Sequence, residues 1–89
     1  MNGLEKARLK INEIDEKMAK LFEDRMKVVE EVVAYKIANN MQVLDASREK
    51  NLIAKNVQYI ENEKYKESYL DYFHEMLRIS KNYQKQIIN

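Results

Sequence analysis

The 89-residue sequence contains no cysteine, no proline and a single glycine, Gly3. Without cysteine, neither disulfides nor thiolate metal sites can hold the fold, and a single histidine excludes a histidine-rich metal cluster. Helix-interrupting residue types are almost absent, whereas Lys, Glu, Leu, Met and Ala are frequent, so helix is favoured almost throughout. We therefore expect an all-α fold with no metal site.

Long apolar runs and an excess of one charge are also missing. No run approaches the roughly 20 residues of a membrane span, and residues 1–10 lack the apolar region of a signal peptide. Lys and Arg number 16 against 15 Asp and Glu, and the net charge of +1 gives no general attraction to nucleic acid or anionic lipid. We expect a cytoplasmic protein that binds neither membranes nor nucleic acid and attracts anions only locally.

Apolar residues recur at spacings of three and four along three segments, which predicts one long and two shorter helices. The first spans about residues 4–38, the second about 46–61 with Asp45 as its N-cap, and the third about 65–87. At 1.5 Å per residue the first helix is about 50 Å long, whereas a compact globule of this size is about 30 Å across. Its projecting half needs a partner, so we expect one domain, residues 1–89, in an intertwined homodimeric helical bundle.

One cation interrupts the apolar seam of the first helix. The seam consists of Leu4, Ala7, Ile11, Ile14, Met18, Leu21, Arg25, Val28 and Val32. A buried guanidinium costs several kcal/mol unless an anion meets it. Taken alone, Arg25 is explained more simply by a buried salt bridge or by a polar residue that fixes the register of paired helices.

Three further polar residues occupy inward positions. Lys36 follows Arg25 by eleven residues, close to three full turns, so the two cations share one face. In the third helix Ser80 occupies a position of the apolar seam, and Gln84 lies one turn further on and on the same side. Each has an ordinary explanation alone, as a lysine near a helix C-terminus or as an interhelical hydrogen bond. Together, without an inward carboxylate for the cations, they predict a pocket for a small polyanion.

Arg8 lies outside this convergence. It precedes Arg25 by 17 residues, which places it about 25 Å along the helix and about 100° around it. It cannot serve the same small site within one chain. In a dimer with antiparallel long helices, it would reach the site of the partner.

The ordered set of polar residues resembles the all-α, AroQ-type chorismate mutases over essentially the full chain. The resemblance is carried by Arg8, by Asp15 and Glu16 in an I-x-x-I-D-x-x-M stretch, by Arg25 and Lys36, by the motif Asp45-Ala46-Ser47-Arg48-Glu49, and by Ser80 and Gln84. Proteins of this family are intertwined homodimers with three helices per chain. They convert chorismate to prephenate, the branch step toward phenylalanine and tyrosine.

The resemblance implies roles for these residues. Arg25 and the partner's Arg8 would hold the substrate carboxylates, assisted by Ser80. Lys36 and Gln84 would donate hydrogen bonds to the ether oxygen of the bond that breaks. The catalytic residues would therefore be Lys36, Gln84 and Arg25.

The start of the second helix would recognise the other end of the substrate. Glu49, with Arg48 and Asp45 nearby, would position the ring hydroxyl. The conversion of chorismate to prephenate is a Claisen rearrangement. Because this reaction is unimolecular, it needs no nucleophile, metal or cofactor.

The sequence departs from the family pattern at Val33, where glycine is often found, and at Gln42, where proline is often found.

Two other functions fit the same residues. Isochorismate-pyruvate lyases share the fold and cleave a related dianion to salicylate and pyruvate in a similar pocket. The second alternative is a non-catalytic helical dimer that serves only as an interaction module. In that case Arg25 would fix the register of the paired helices. This module predicts that an Arg25→Leu variant keeps or gains stability.

Overall fold

The computed structural model describes residues 2–88, and these residues form three α-helices without a strand. Helix α1 spans Gly3–Ala38, α2 spans Ala46–Val57 and α3 spans Lys66–Ile88. A short 3₁₀ turn, Glu63–Tyr65, precedes α3. The predicted all-α class, with one long and two shorter helices, is confirmed.

Asparagines define both ends of α1. The Asn2 side chain accepts a hydrogen bond from the Glu5 backbone N–H at 2.8 Å, which satisfies one of the unpaired N–H groups of the first turn. After the helix, Asn40 adopts a φ of 53°, a left-handed conformation that asparagine tolerates better than most residues. The chain therefore leaves α1 sharply, and a short loop carries it to α2.

Helix α2 ends at Val57, four residues before the predicted end at Glu61. The backbone N–H groups of Tyr59 and Ile60 donate to carbonyls three residues back, at 3.0 and 3.2 Å. These tighter bonds replace the α-helical ladder, and Asn62 then caps the 3₁₀ turn. The predicted boundary was wrong because no glycine or proline marks this stop.

The core lies where α3 packs along the C-terminal half of α1. Its buried apolar residues are Val29, Val33, Phe73 and Leu77. Val33 is only 1% exposed, so the departure from glycine at this position fills the centre of the core. The predicted seam positions Val28 and Val32 are 54% and 43% exposed in the chain, because α3 covers the neighbouring stripe of α1 instead.

The N-terminal half of α1 extends away from this core. Every residue from 2 to 24 is exposed, and the described chain measures 56 × 25 × 16 Å. The seam residues Leu4, Ile11 and Leu21 are 58%, 53% and 66% exposed. The chain alone therefore leaves this seam uncovered, and the homodimer stays a prediction.

Within residues 2–88, no helix has both the length and the apolar character required to cross a membrane.

Candidate active site

A cavity of about 120 Å³ lies between the C-terminal half of α1, the loop after it, the start of α2 and the C-terminal half of α3. Its floor is apolar and includes Val29, Leu52 and Leu77. Its charged and hydrogen-bonding side chains are Arg25, Lys36, Asp45, Arg48, Glu49, Ser80, Lys81 and Gln84. The cavity thus brings together all the predicted site residues except Arg8, and its four cations and two carboxylates give it a net charge of +2.

Arg25 enters the cavity from α1 as a half-buried side chain. No carboxylate within residues 2–88 forms an ion pair with its guanidinium. Its positive charge acts on Tyr69, whose pKa is raised by burial and by Tyr72 and is partly lowered again by Arg25. A buried salt bridge therefore does not explain Arg25 in the described chain, and the guanidinium is available to an anionic ligand.

Lys36 and Gln84 form a pair of hydrogen-bond donors. The Lys36 Nζ donates to the Val43 carbonyl oxygen at 2.9 Å and to the Gln84 Oε1 at 3.0 Å. Because an ammonium donates three hydrogen bonds and accepts none, this contact fixes which amide atom faces Lys36. One Lys36 N–H and the Gln84 amide NH₂ remain for a ligand. Gln84 is only 8% exposed and Lys36 is half-buried, so water screens both donors less than it would at an exposed position.

Asp45 starts α2 and thereby places two side chains at the cavity. Its carboxylate accepts from the Arg48 N–H at 3.0 Å, which confirms the predicted N-cap, and its carbonyl accepts from the Glu49 N–H at 3.0 Å. Asp45 and Arg48 are exposed, whereas Glu49 is half-buried. The loop before α2 also supplies the Val43 carbonyl that holds Lys36.

The sequence-based reasoning missed Lys81. This lysine lines the cavity, and its Nζ lies 3.1 and 3.4 Å from the two carboxylate oxygens of Glu49. Its neighbour Ser80 is 5% exposed and lines the same cavity. Lys81 directly follows a residue of the α3 seam, so an outward orientation was the simpler expectation. Its partner lies 32 residues earlier, and no sequence spacing connects the two.

Arg8 lies in the projecting half of α1, where it is exposed. Helix geometry separates it from Arg25 by about 25 Å, and it does not line the cavity. His74 is also exposed and outside the cavity. No group of three or more His, Asp or Glu side chains in residues 2–88 is placed to hold a metal ion. The assembled residues are suited to binding a small dianion and donating hydrogen bonds to one of its oxygens.

The chorismate mutase type II family model matches residues 7–85. This range includes every candidate site residue from Arg8 to Gln84. No curated protein and no solved structure matches the chain.

Proposed function

The chain belongs to the chorismate mutase type II family, as the resemblance in its sequence predicted, and on that premise we propose that it converts chorismate to prephenate in phenylalanine and tyrosine biosynthesis. The proposal depends mainly on one observation. Arg25, Lys36 and Gln84 meet in one cavity, and within residues 2–88 none of the three pairs with a carboxylate. The reaction is a unimolecular rearrangement, so binding and electrostatic stabilisation are enough to accelerate it.

The charge of the cavity suits a dianionic substrate. Its net charge of +2 would be neutralised by two carboxylates, and Arg25 offers a planar donor pair to one of them. Ser80 would assist from α3. Clamping both carboxylates would hold the flexible substrate in the compact conformer in which the reacting carbons meet, which is the main entropic requirement of the reaction.

Lys36 and Gln84 would stabilise the breaking bond. Negative charge grows on the ether oxygen as the carbon–oxygen bond lengthens. The remaining Lys36 N–H and the Gln84 NH₂ would both donate to that oxygen, and their hydrogen-bond contact at 3.0 Å keeps the two groups adjacent. Donors fixed in advance cost no reorganisation during the reaction, and each is typically worth about 10²- to 10³-fold in rate.

The start of α2 would recognise the ring hydroxyl. Glu49 is half-buried in the cavity wall, and its carboxylate would accept the hydroxyl hydrogen. Arg48 and Asp45 lie beside it at the mouth of the cavity. In this proposal the start of α2 contributes orientation, whereas Lys36 and Gln84 contribute charge stabilisation.

A second copy of the chain would complete the site. The proposal includes a homodimer in which the partner's Arg8 reaches the cavity, and it treats residues 1–89 as one domain. The exposed apolar seam of residues 4–21 supports it. Helix geometry adds a second argument, because a separation of about 25 Å prevents Arg8 and Arg25 of one chain from serving the same small site. We also propose a cytoplasmic location, which the lack of cysteine favours.

Incubating the protein separately with chorismate and with isochorismate tests the proposed reaction. We expect prephenate from chorismate, and an Arg25→Ala variant should keep its helical circular dichroism but lose turnover. Salicylate and pyruvate from isochorismate, without prephenate from chorismate, would establish the lyase instead. No turnover of either substrate would favour the non-catalytic module.

Mixing two inactive variants tests the shared site. Arg8→Ala and Arg25→Ala homodimers should each be nearly inactive, because every site lacks one arginine. In a mixed dimer one site lacks both arginines and the other is intact, so random exchange should restore about a quarter of the wild-type activity. A mixture that stays inactive after verified subunit exchange would contradict an Arg8 contribution from the partner.

A further inference from the structure

One ion pair in the structure differs from the others. The pairs Lys20–Glu16, Lys66–Glu63 and Arg78–Glu75 each join residues three or four positions apart. The pair of Lys81 and Glu49 joins α3 to α2 across the wall of the cavity, and its side chains are only 31% and 26% exposed. Partial burial makes such a pair stronger and less screened by salt than an exposed local pair.

The geometry of this pair restricts the Glu49 carboxylate. The Lys81 Nζ contacts both carboxylate oxygens, at 3.1 and 3.4 Å, so rotation of the carboxylate about its terminal bond breaks at least one contact. Each oxygen keeps a further lone pair for another donor. The carboxylate is therefore held in one orientation while it can still accept a hydrogen bond from a ligand.

We propose that Lys81 is a positioning residue that acts through Glu49 to orient the ring hydroxyl of the substrate. The inference rests on the proposed function, since it needs a hydroxyl-bearing substrate in this cavity. It assigns to Lys81 a contribution that depends on that hydroxyl. A lysine that only raised the positive potential of the cavity would help any dianionic substrate equally. A lysine that only joined α2 to α3 would change the stability of the protein, and its loss would lower activity on all substrates alike.

The test compares two substrates. Lys81→Met, Lys81→Arg and wild-type enzyme are assayed with chorismate and with an analogue in which hydrogen replaces the ring hydroxyl. Lys66→Met is the matched control, because Lys66 is 33% exposed and also ion-paired but lies outside the cavity. Thermal melting verifies that each variant is folded, and Lys81→Gln replaces Lys81→Met if the latter does not fold.

We expect Lys81→Met to lower kcat/KM for chorismate about tenfold, as for the loss of a charge-assisted hydrogen bond, and to leave kcat/KM for the analogue within about twofold. Lys81→Arg should restore most of the activity, because a guanidinium also binds both carboxylate oxygens. Lys66→Met should behave as wild type.

Three results would overturn the inference: an equal loss on both substrates, no loss on chorismate, or no recovery in Lys81→Arg. Failure of the proposed function gives a different result, because the wild-type enzyme would then form no prephenate at all.

Discussion

Replacing Gln84 with glutamate turns one donor of the candidate site into an acceptor at almost constant shape. In the wild type, Gln84 Oε1 accepts from Lys36 at 3.0 Å, and the amide NH₂ remains for the substrate. In Gln84→Glu the carboxylate keeps the contact with Lys36 but has no N–H, and its charge opposes the charge that grows on the ether oxygen. Loss of one such donor predicts a decrease in kcat of about 10²- to 10³-fold near pH 7.5.

The pH dependence of this variant provides the sharper assay. A protonated glutamate again offers a donor, so kcat of Gln84→Glu should increase as the pH falls from 8 to 5, approaching tenfold per unit while most molecules are ionised. The wild type should stay nearly flat over this range, because glutamine does not titrate. Gln86→Glu, the same change at an exposed position of α3, should follow the wild type. A variant that stays flat, or loses activity on acidification, would refute this role for Gln84.

Three further predictions concern the core, a surface hydrogen bond and the seam cation. Val33→Ala removes two methyl groups from a side chain that is 1% exposed and should lower the free energy of unfolding by about 2 kcal/mol in urea titrations; a loss below about 0.5 kcal/mol would contradict the core assignment. The pKa of Tyr83 is raised by its hydrogen bond to Glu30 at 2.9 Å, so the folded state retains the proton longer than the unfolded state. Stability should therefore decrease as the pH rises above about 10, and less steeply in Tyr83→Phe; equal slopes would argue against this hydrogen bond. Arg25→Leu should abolish turnover without lowering the melting temperature, because no carboxylate in residues 2–88 pairs with the cation it removes; a clear loss of thermal stability would contradict an unpaired Arg25.

Periodicity predicted the helices more reliably than their ends and faces. Helix α1 starts one residue before the predicted position, and α3 starts one residue after it. The end of α2 depends on hydrogen bonds three residues back around Tyr59 and Ile60, and no local residue type announces them. The face of α1 that α3 covers was missed because valines occupy both adjacent stripes. Whether Val28 or Val29 is buried depends on the loop and on the path of α3, and the spacing of the apolar residues does not determine it.

The candidate site was predictable to the extent that its residues violate a pattern. Arg25 and Ser80 interrupt apolar seams and Gln84 lies on the same side as Ser80, so helix geometry alone placed them inward. The residues at the start of α2 do not interrupt an apolar seam, and only the family resemblance predicted that they belong to the candidate site. Lys81 had neither signal, since a lysine next to a seam is usually solvated and its contact with Glu49 spans 32 residues. Contacts between elements therefore needed the three-dimensional arrangement.

The two carboxylates that line the cavity, Asp45 and Glu49, both have partners of their own, so they leave the other cations of the cavity unneutralised. Glu49 is paired with Lys81, and Asp45 caps the N-terminus of α2, whose dipole stabilises its charge. The positive charges of Arg25, Lys36 and Arg48 are therefore left without a carboxylate partner in residues 2–88. The cavity carries +2 and the whole sequence +1, so the rest of the chain carries −1. In the proposed function, a dianionic substrate would supply the carboxylate partners that these cations lack within residues 2–88. We therefore expect the charge of the cavity to favour binding of a dianion although the whole sequence is nearly neutral.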